Sequence, residues 1–594
     1  MAIIKVSMIA SNSLIRNNMR NIILQICICL GLFSVTGCGD KNQKKSAIKT
    51  QQKQQNSIKF LDVTIQSGLG DFLHENGAFG EKWFPEPMGG GGGFIDYNND
   101  GWQDILLVRG GTWPEKSNKI IPVLALYQNN GDGTFTDKTF EAGLKGFSTY
   151  GLGIAVSDFD NDGDEDFVLT TLFENMLFRN DKSRFTEIGK ESGIANGARL
   201  STSALFFDAD KDGWLDLYIG NYTRWSPETD IWCSFQGEKG YCTPNIYEGE
   251  ASRFYKNNGD GTFSDRTKEA GFLPAPGKTL GAVEIDYNKD GWSDLAVAND
   301  LEHNLLYLNN GDGSFSEKGL EAGIAVDETG SARAGMGIDA GPVDRNNEVS
   351  IFVGNFQDEM IGVFRHMGNG FFMDRAAISN IGRPSLQILT FGLFLFDVDL
   401  DLDLDLLALN GHIQIEIEQR QSGFQFRQLP HLYLNRGSGT FDLVKPYNTS
   451  TIGKPIVGRG AAYADYDKDG DLDVLVTENA GPAFLWRNEL NHPNSKSISN
   501  YLRFKLISTK GNRDAIGSEV GVKISGKWHY RRVKAGSSYL SQSEKIITFG
   551  LPNSSVADSV SINWANGEKE ILLDIPANQY LIITEGKGFV SSGK

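Results

Sequence analysis

Short apolar runs such as Ile105-Leu106-Leu107-Val108, Leu217-Tyr218-Ile219 and Val474-Leu475-Val476 recur along most of this chain, each entered from a polar stretch dense in Asp, Asn and Gly. Runs of that length, flanked by turn residues, predict buried strands. The stretch before each run follows one grammar, D-x-[DN]-x-D-G-x-x-D, at 96–104, 158–166, 208–216, 286–294 and 465–473. A second phrase, Leu126-Tyr127-Gln128-Asn129-Asn130-Gly131-Asp132-Gly133-Thr134-Phe135, returns at 254–263 and 306–315. Asn-Gly and Asp-Gly between apolar positions predict tight hairpins, because both tolerate the positive φ such turns need. One unit therefore reads strand, acidic loop, strand, strand, hairpin turn, strand, which is a four-stranded blade.

Units start near residues 96, 158, 208, 286, 342, 397 and 465. Seven of them predict an all-β chain in which residues 58–490 form a seven-bladed β-propeller, an architecture that hides most sheet edges by radial closure. The body opens on Phe60-Leu61-Asp62-Val63-Thr64, a blade-closing phrase with no blade before it, and the last unit has no such phrase after Phe484-Leu485-Trp486. The first strand is thus expected to complete the last blade. From Asn500 the acidic grammar stops. Alternating runs such as Val520-Gly521-Val522-Lys523-Ile524 and Val560-Ser561-Ile562-Asn563-Trp564 predict a small C-terminal β-sandwich over 500–585, with 586–594 as a tail.

The acidic loops carry the candidate chemistry. Four carboxylate or amide oxygens at alternate positions, with Gly where the backbone turns sharply, suit a hard cation that takes six to eight oxygens at about 2.3–2.6 Å, meaning Ca2+. The expected ligands are Asp96, Asn98, Asp100 and Asp104; Asp158, Asp160, Asp162 and Asp166; Asp208, Asp210, Asp212 and Asp216; Asp286, Asn288, Asp290 and Asp294; and Asp465, Asp467, Asp469 and Asp473. The opening resembles an EF-hand, but the twelfth residues, Leu107, Leu169, Ile219, Val297 and Val476, cannot ligate, so each loop reads as a metal-binding turn between strands. Solvated acidic turns are the plainer alternative. Two units depart from the pattern. The fifth, around Asp344, loses two acids and the Gly, so no ion is expected there. The sixth keeps Asp397, Asp399, Asp401 and Asp405 but has Leu402 in place of Gly, which requires a costly left-handed backbone or an altered turn.

Thirteen residues past successive loop starts stand Asn221, Asn299, Asn355, Asn410 and Glu478. They either line one mouth of the central channel or cap strand ends, and capping is the preferred reading. The insertion 222–249, with Trp225 and Trp232, is the candidate for a private binding surface, although packing under a long loop explains its Trp residues equally well. Its Cys233 and Cys242 are expected to form a disulfide in an exported setting.

Net charge is −18 and the pI is near 5.0, which argues against nucleic acid as a partner. Five divalent ions would offset ten of those charges. At the N-terminus, Arg16 and Arg20 precede the apolar run 22–33, too short to span a bilayer comfortably. The following Val35-Thr36-Gly37-Cys38 resembles the lipobox of bacterial lipoproteins, which implies a signal over 1–38, lipid on Cys38 as the sole membrane contact, and a flexible tether over 39–57.

Taken together, the loops resemble FG-GAP or VCBS repeats. The tail resembles the ASPIC/UnbV domain through Gly511-Asn512-Arg513-Asp514-Ala515-Ile516-Gly517, Ala535-Gly536-Ser537-Ser538-Tyr539-Leu540-Ser541-Gln542-Ser543 and Ala577-Asn578-Gln579. That combination resembles the cartilage acidic protein family. It implies an exported, calcium-binding, adhesion-like protein of the bacterial envelope with a protein or glycan ligand. Arg513, Asp514, Ser541 and Gln542 are expected to hold turns in a buried polar network. The competing reading is an envelope enzyme or accessory protein acting on carbohydrate. Seven His placed singly, and no Gly-x-Ser-x-Gly or His-Glu-x-x-His, favour a binder.

Overall fold

The computed structural model describes residues 58–592, apart from 114–120, 196, 236, 273–276, 446–451, 494 and 496–497. The signal, lipobox and tether expected over 1–57, Cys38 included, lie outside the described residues. Among the described residues, seven four-stranded antiparallel sheets follow one another along the chain up to Asn488. Each begins on a strand that feeds its loop: Gly92–Ile95, Gly151–Ser157, Ser201–Phe207, Thr279–Ile285, Ile338–Pro342, Thr390–Phe396 and Gly458–Ala464. Every one of these first strands lies against the first strand of the next sheet, and the series closes where Gly458–Ala464 meets Gly92–Ile95. Phe60–Asp62 pairs with Ala483–Asn488, Leu61 facing Arg487, so the two ends of the ring share one sheet.

Period-two strands buried on both faces fill the wedges between sheets. On one face of the first sheet, Ile105, Leu107 and Tyr127 meet Leu475 and Leu485 of the last. On its other face, Leu106, Val108 and Leu126 meet Val156 and Leu169 of the second. A polar staple runs beside this core. Asn129, Asn180, Asn257, Asn309, Asn435 and Asn488 each donate from Nδ2 to a backbone carbonyl in the preceding sheet's loop, on Tyr466, Tyr97, Phe159, Ala209, Val343 and Val398 respectively, at 2.7 to 3.0 Å. The first Asn of the hairpin phrase therefore binds one sheet to the next, beyond making its own turn.

The C-terminal part is a pair of four-stranded sheets. One contains Tyr501–Ile507, Ile547–Gly550, Gln579–Thr584 and Gly588–Ser592, and the other Glu519–Ile524, Lys527–Arg532, Val556–Asn563 and Lys569–Pro576. One expectation needs correction. The stretch read as a tail supplies Gly588–Ser592, whose Val590 pairs opposite Ile582, because alternating residues there can extend the sheet. The sandwich packs directly on the ring: Leu205, Leu217 and Leu402 of the ring share a core with Leu502, Phe504, Val522 and Ile562.

The joining element is the segment 534–545, which enters the middle of the ring. Ile154 donates its N–H to the Leu540 carbonyl at 3.2 Å. Ser538 and Ile338 exchange backbone bonds at 2.7 and 3.1 Å, and Gln542 does the same with Gly92 and Phe94 at 3.2 and 3.0 Å. The Tyr539 hydroxyl donates to the Met88 carbonyl at 3.2 Å. With the Glu544 N–H donating to the Tyr463 carbonyl at 3.0 Å, first strands of four sheets are tied to one strand-like insert. Two glycines of the run 89–93 are explained by this approach: a Cβ on Gly91 would lie 1.7 Å from the Leu540 carbonyl oxygen and one on Gly93 2.4 Å from that of Gln542. Gly91→Ala is expected to displace the insert and destabilise the protein by about 3 kcal/mol, read as a lower denaturation midpoint with faster protease cleavage within 534–545.

Candidate metal centre

All six complete acidic loops share one backbone. The fourth residue is left-handed in each, as Asn99, Asn161, Lys211, Lys289, Leu400 and Lys468 at φ between 56° and 59°. The sixth is left-handed too, at φ 80° to 100°. This fold brings the sixth residue's N–H onto the first Asp, as for Gly163 to Asp158 at 2.9 Å and Gly470 to Asp465 at 3.0 Å. The ninth Asp is buried at the root. Asp104 accepts from the N–H of Asn129 at 2.7 Å and of Tyr97 at 3.2 Å, and Asp166, Asp216, Asp294, Asp405 and Asp473 repeat both bonds.

Carboxylates converge within this frame. One oxygen from each of Asp158, Asp160 and Asp166 lies within 4.8 Å of the others, and so it is for Asp208, Asp210 and Asp212, for Asp397, Asp399 and Asp405, and for Asp465, Asp467 and Asp473. In the first and fourth loops an amide stands third: Asn98 and Asn288 donate to Asp100 and Asp290 at 2.8 and 2.7 Å. Burial, reinforced by neighbouring carboxylates, pushes Asp104, Asp216 and Asp294 up to about 8 and Asp96 and Asp208 up to about 6. Asp158 Oδ1, Asp208 Oδ1, Asp399 Oδ1, Asp467 Oδ1 and Asp469 Oδ2 are buried and accept no hydrogen bond. Orphaned buried oxygens converging from hard ligands fit a divalent cation of calcium's chemistry.

Residues 96–169, 286–353 and 420–476 match the FG-GAP-like repeat, and residues 508–589 match ASPIC and UnbV. The chain carries FG-GAP-like repeats and an ASPIC/UnbV domain. Cartilage acidic protein 1 of Homo sapiens is 24% identical over 445 residues, covering 70% of this chain and 60% of that protein. The Xenopus tropicalis protein of the same name is 25% identical over 443 residues, covering 70% and 61%. This chain thus spans less than two thirds of the curated relatives it matches. Among solved structures, an Agrocybe aegerita lectin described as recognising non-reducing terminal N-acetylglucosamine aligns with a TM-score of 0.37 and 16% identity, covering 65% of this chain and 85% of its own. BBS1N in complex with ARL6DN aligns at 0.36 and 9%, covering 73% and 98%.

The ASPIC/UnbV domain sits on the loop face and brings cations to it. Arg503, 3% exposed, reaches Asp465 at 2.9 Å and Glu544 at 2.6 Å. Lys545 bridges Glu165 and Asp514 at 2.8 Å each, and Asp514 accepts the Asp158 N–H at 2.9 Å. Arg513 donates its backbone N–H to Asn161 at 2.9 Å. Arg532 bonds Glu284 at 2.6 Å, beside the fourth loop. Arg513 and Asp514 thus serve as contacts to the second loop, while Ser541 and Gln542 belong to the insert. Of these cations only Arg513 was singled out from sequence, and its side chain is 46% exposed rather than buried; nothing in a single Arg or Lys tells which loop it will meet.

Three loops differ from the rest. In the third, the Lys256 ammonium lies 2.8 Å from Asp210 and 2.7 Å from Asp212, so it must swing out before a divalent ion can enter. In the fifth, Asp344 pairs with Arg365, which supplies the positive charge there. In the sixth, Leu402 adopts the left-handed backbone at φ 82° and buries its side chain in the core shared with the ASPIC/UnbV domain. Its carbonyl accepts from Arg531 at 2.6 Å.

The amides at the far strand ends are caps. Asn221, Asn299, Asn355 and Asn410 donate to the carbonyls of Ala251, His303, Met360 and Leu429 at 2.6 to 2.7 Å, and Glu478 accepts the Val457 N–H at 3.1 Å. In the insertion, Cys233 and Cys242 form a disulfide. Trp225 is buried against Trp83 and Trp113, whereas Trp232 is 61% exposed.

Leu402 offers a test in which two costs oppose each other. Left-handed backbone costs a non-glycine residue about 1–2 kcal/mol, while truncating a buried Leu costs about 2–5 kcal/mol. Leu402→Ala and Leu402→Gly should both destabilise. Ala is expected to be the worse by about 1 kcal/mol, since it retains the backbone strain, as read from chemical denaturation of both variants.

Proposed function

We propose that this protein is an exported, calcium-binding recognition module of the bacterial cell envelope, anchored through lipid on Cys38 and binding protein or glycan without catalysing a reaction. The observation that carries the calcium reading is the set of buried carboxylate oxygens left without donors in the second, third, sixth and seventh loops. Calcium would hold those acids ionised and neutralise their repulsion. The same acids are then poor candidates for proton transfer. Asp96, Asn98, Asp100 and Asp104, with their counterparts at 158–166, 208–216, 286–294, 397–405 and 465–473, would be the ligands, and the Arg365-paired fifth loop would take none. The Cys38 lipobox and the acidic net charge support an envelope location and a partner other than nucleic acid. The experiment is a screen of the purified full chain against glycan and extracellular-protein arrays, in calcium and in chelator, beside a panel of hydrolase substrates. Calcium-dependent binding without turnover is expected. Turnover lost on changing an acid outside the loops would overturn the reading.

The pKa directions give a second check. An acid held near 8 in the fold and near 4 in the unfolded chain keeps its proton only when folded. Stability from Asp104, Asp216 and Asp294 is therefore present below about pH 4 and lost as pH rises toward 8. In chelator the melting temperature should fall across that window. Saturating calcium should reverse the trend, because deprotonated ligands bind the ion.

A further inference from the structure

The face opposite the acidic loops carries a cavity of about 260 Å3 that the metal reading leaves unused. Its walls come from the connections at that end of the ring and from the insertion, and its floor is Tyr539, the tip of the ASPIC/UnbV insert. Leu301, 39% exposed, is part of its wall. Five aromatic rings are in the lining, among them Phe84, stacked on Tyr222 with centroids 5.4 Å apart, and Phe391, which meets Tyr539 edge-on at 5.0 Å. Two carboxylates share this apolar space. Asp300, 8% exposed, accepts from the Tyr222 hydroxyl at 2.6 Å through one oxygen, and Glu359 accepts the Ala334 N–H at 2.9 Å through one of its own.

Neither carboxylate is in an ion pair among the described residues. Lys278, which acts on Asp300 from a distance, is engaged by Glu302 at 3.2 Å, and Arg333, which acts likewise on Glu359, is engaged by Asp327, Glu328 and Asp374. Burial first, with the Glu359 charge adding to it, raises the Asp300 carboxyl to about 7. Two acids that repel each other inside a ring-lined cavity gain most from a guest that brings both a positive charge and apolar surface, since aromatic faces also attract cations. We propose that this cavity is a binding site for a small organic cation, an ammonium head on an aromatic or branched apolar body, with Asp300 and Glu359 receiving the head and Phe84, Tyr222, Phe391 and Tyr539 enclosing the body. The proposal is independent of calcium at the other face, because none of these six residues belongs to an acidic loop.

The test is isothermal titration calorimetry on the full chain at pH 8 with three probes that share a phenylethyl body: 2-phenylethylamine, 2-phenylethanol and 3-phenylpropionate. The amine is expected to bind at least tenfold more tightly than the alcohol, and the acid not measurably. Asp300→Asn keeps the Tyr222 contact and is expected to bring the amine down to the affinity of the alcohol. Equal affinity for amine and alcohol in the unchanged protein would overturn the cationic head, and no binding of any probe would overturn the site. The comparison within the unchanged protein stands even if the variant fails to fold.

Discussion

Carboxylates crowded on one face of the ring repel each other and lose hydration as the sheets close, and the architecture of that face is organised around offsetting this cost. Backbone amides do part of the work: every complete loop turns its sixth N–H onto its first Asp and its second onto its ninth. Cations of the ASPIC/UnbV domain do more. Arg503 sits between Asp465 and Glu544, all three nearly inaccessible to solvent, and removing one partner of such a buried pair typically costs about 3–5 kcal/mol, because the other charge is left stranded. The exposed Arg224–Glu248 pair on the opposite side is worth well under about 1 kcal/mol by comparison. What the amides and cations leave unsatisfied is the set of bare oxygens pointing into the loops.

Ring closure and domain docking are two consequences of the same local geometry. The buried ninth Asp holds the N–H of an asparagine, and that asparagine's amide reaches the preceding sheet, so each loop's root is also a joint between sheets. The insert 534–545 then occupies the space the first strands leave in the middle, adding backbone bonds to four sheets. A ring with side chains alone at its centre would need bulky residues there. This one has glycine at 91 and 93 instead, because a backbone takes their place. Tyr539, in the same segment, lines the cavity on the opposite face, so one segment touches both faces.

Much of this was legible in the sequence. The acidic phrase, the hairpin phrase and the orphan closing strand at Phe60 identify the repeat and its circular closure, because turn chemistry and period-two burial are local properties. At Leu402 the sequence left two outcomes, a costly left-handed backbone or an altered turn, and the structure shows the first. Its compensation was not legible, because burial against the ASPIC/UnbV domain is a long-range contact. The asparagine staples were hidden for a related reason: the Asn of Asn-Gly accounts for itself as a turn residue, and nothing nearby announces a second role. Asn99 and Asn161 at the fourth loop position did hint at the second left-handed residue. Lys211, Lys289 and Lys468, which adopt it equally, obscured the hint.

The coupling of the acidic face to the inserted segment is most directly tested by hydrogen–deuterium exchange on the full chain, in calcium and in chelator, followed at the six complete loops, at 534–545 and at the outer hairpins. Chelation should accelerate exchange in the loops and in 534–545 together while the hairpins around Gly131, Gly259 and Gly311 stay unchanged. Identical exchange in the loops and the insert under both conditions would contradict it.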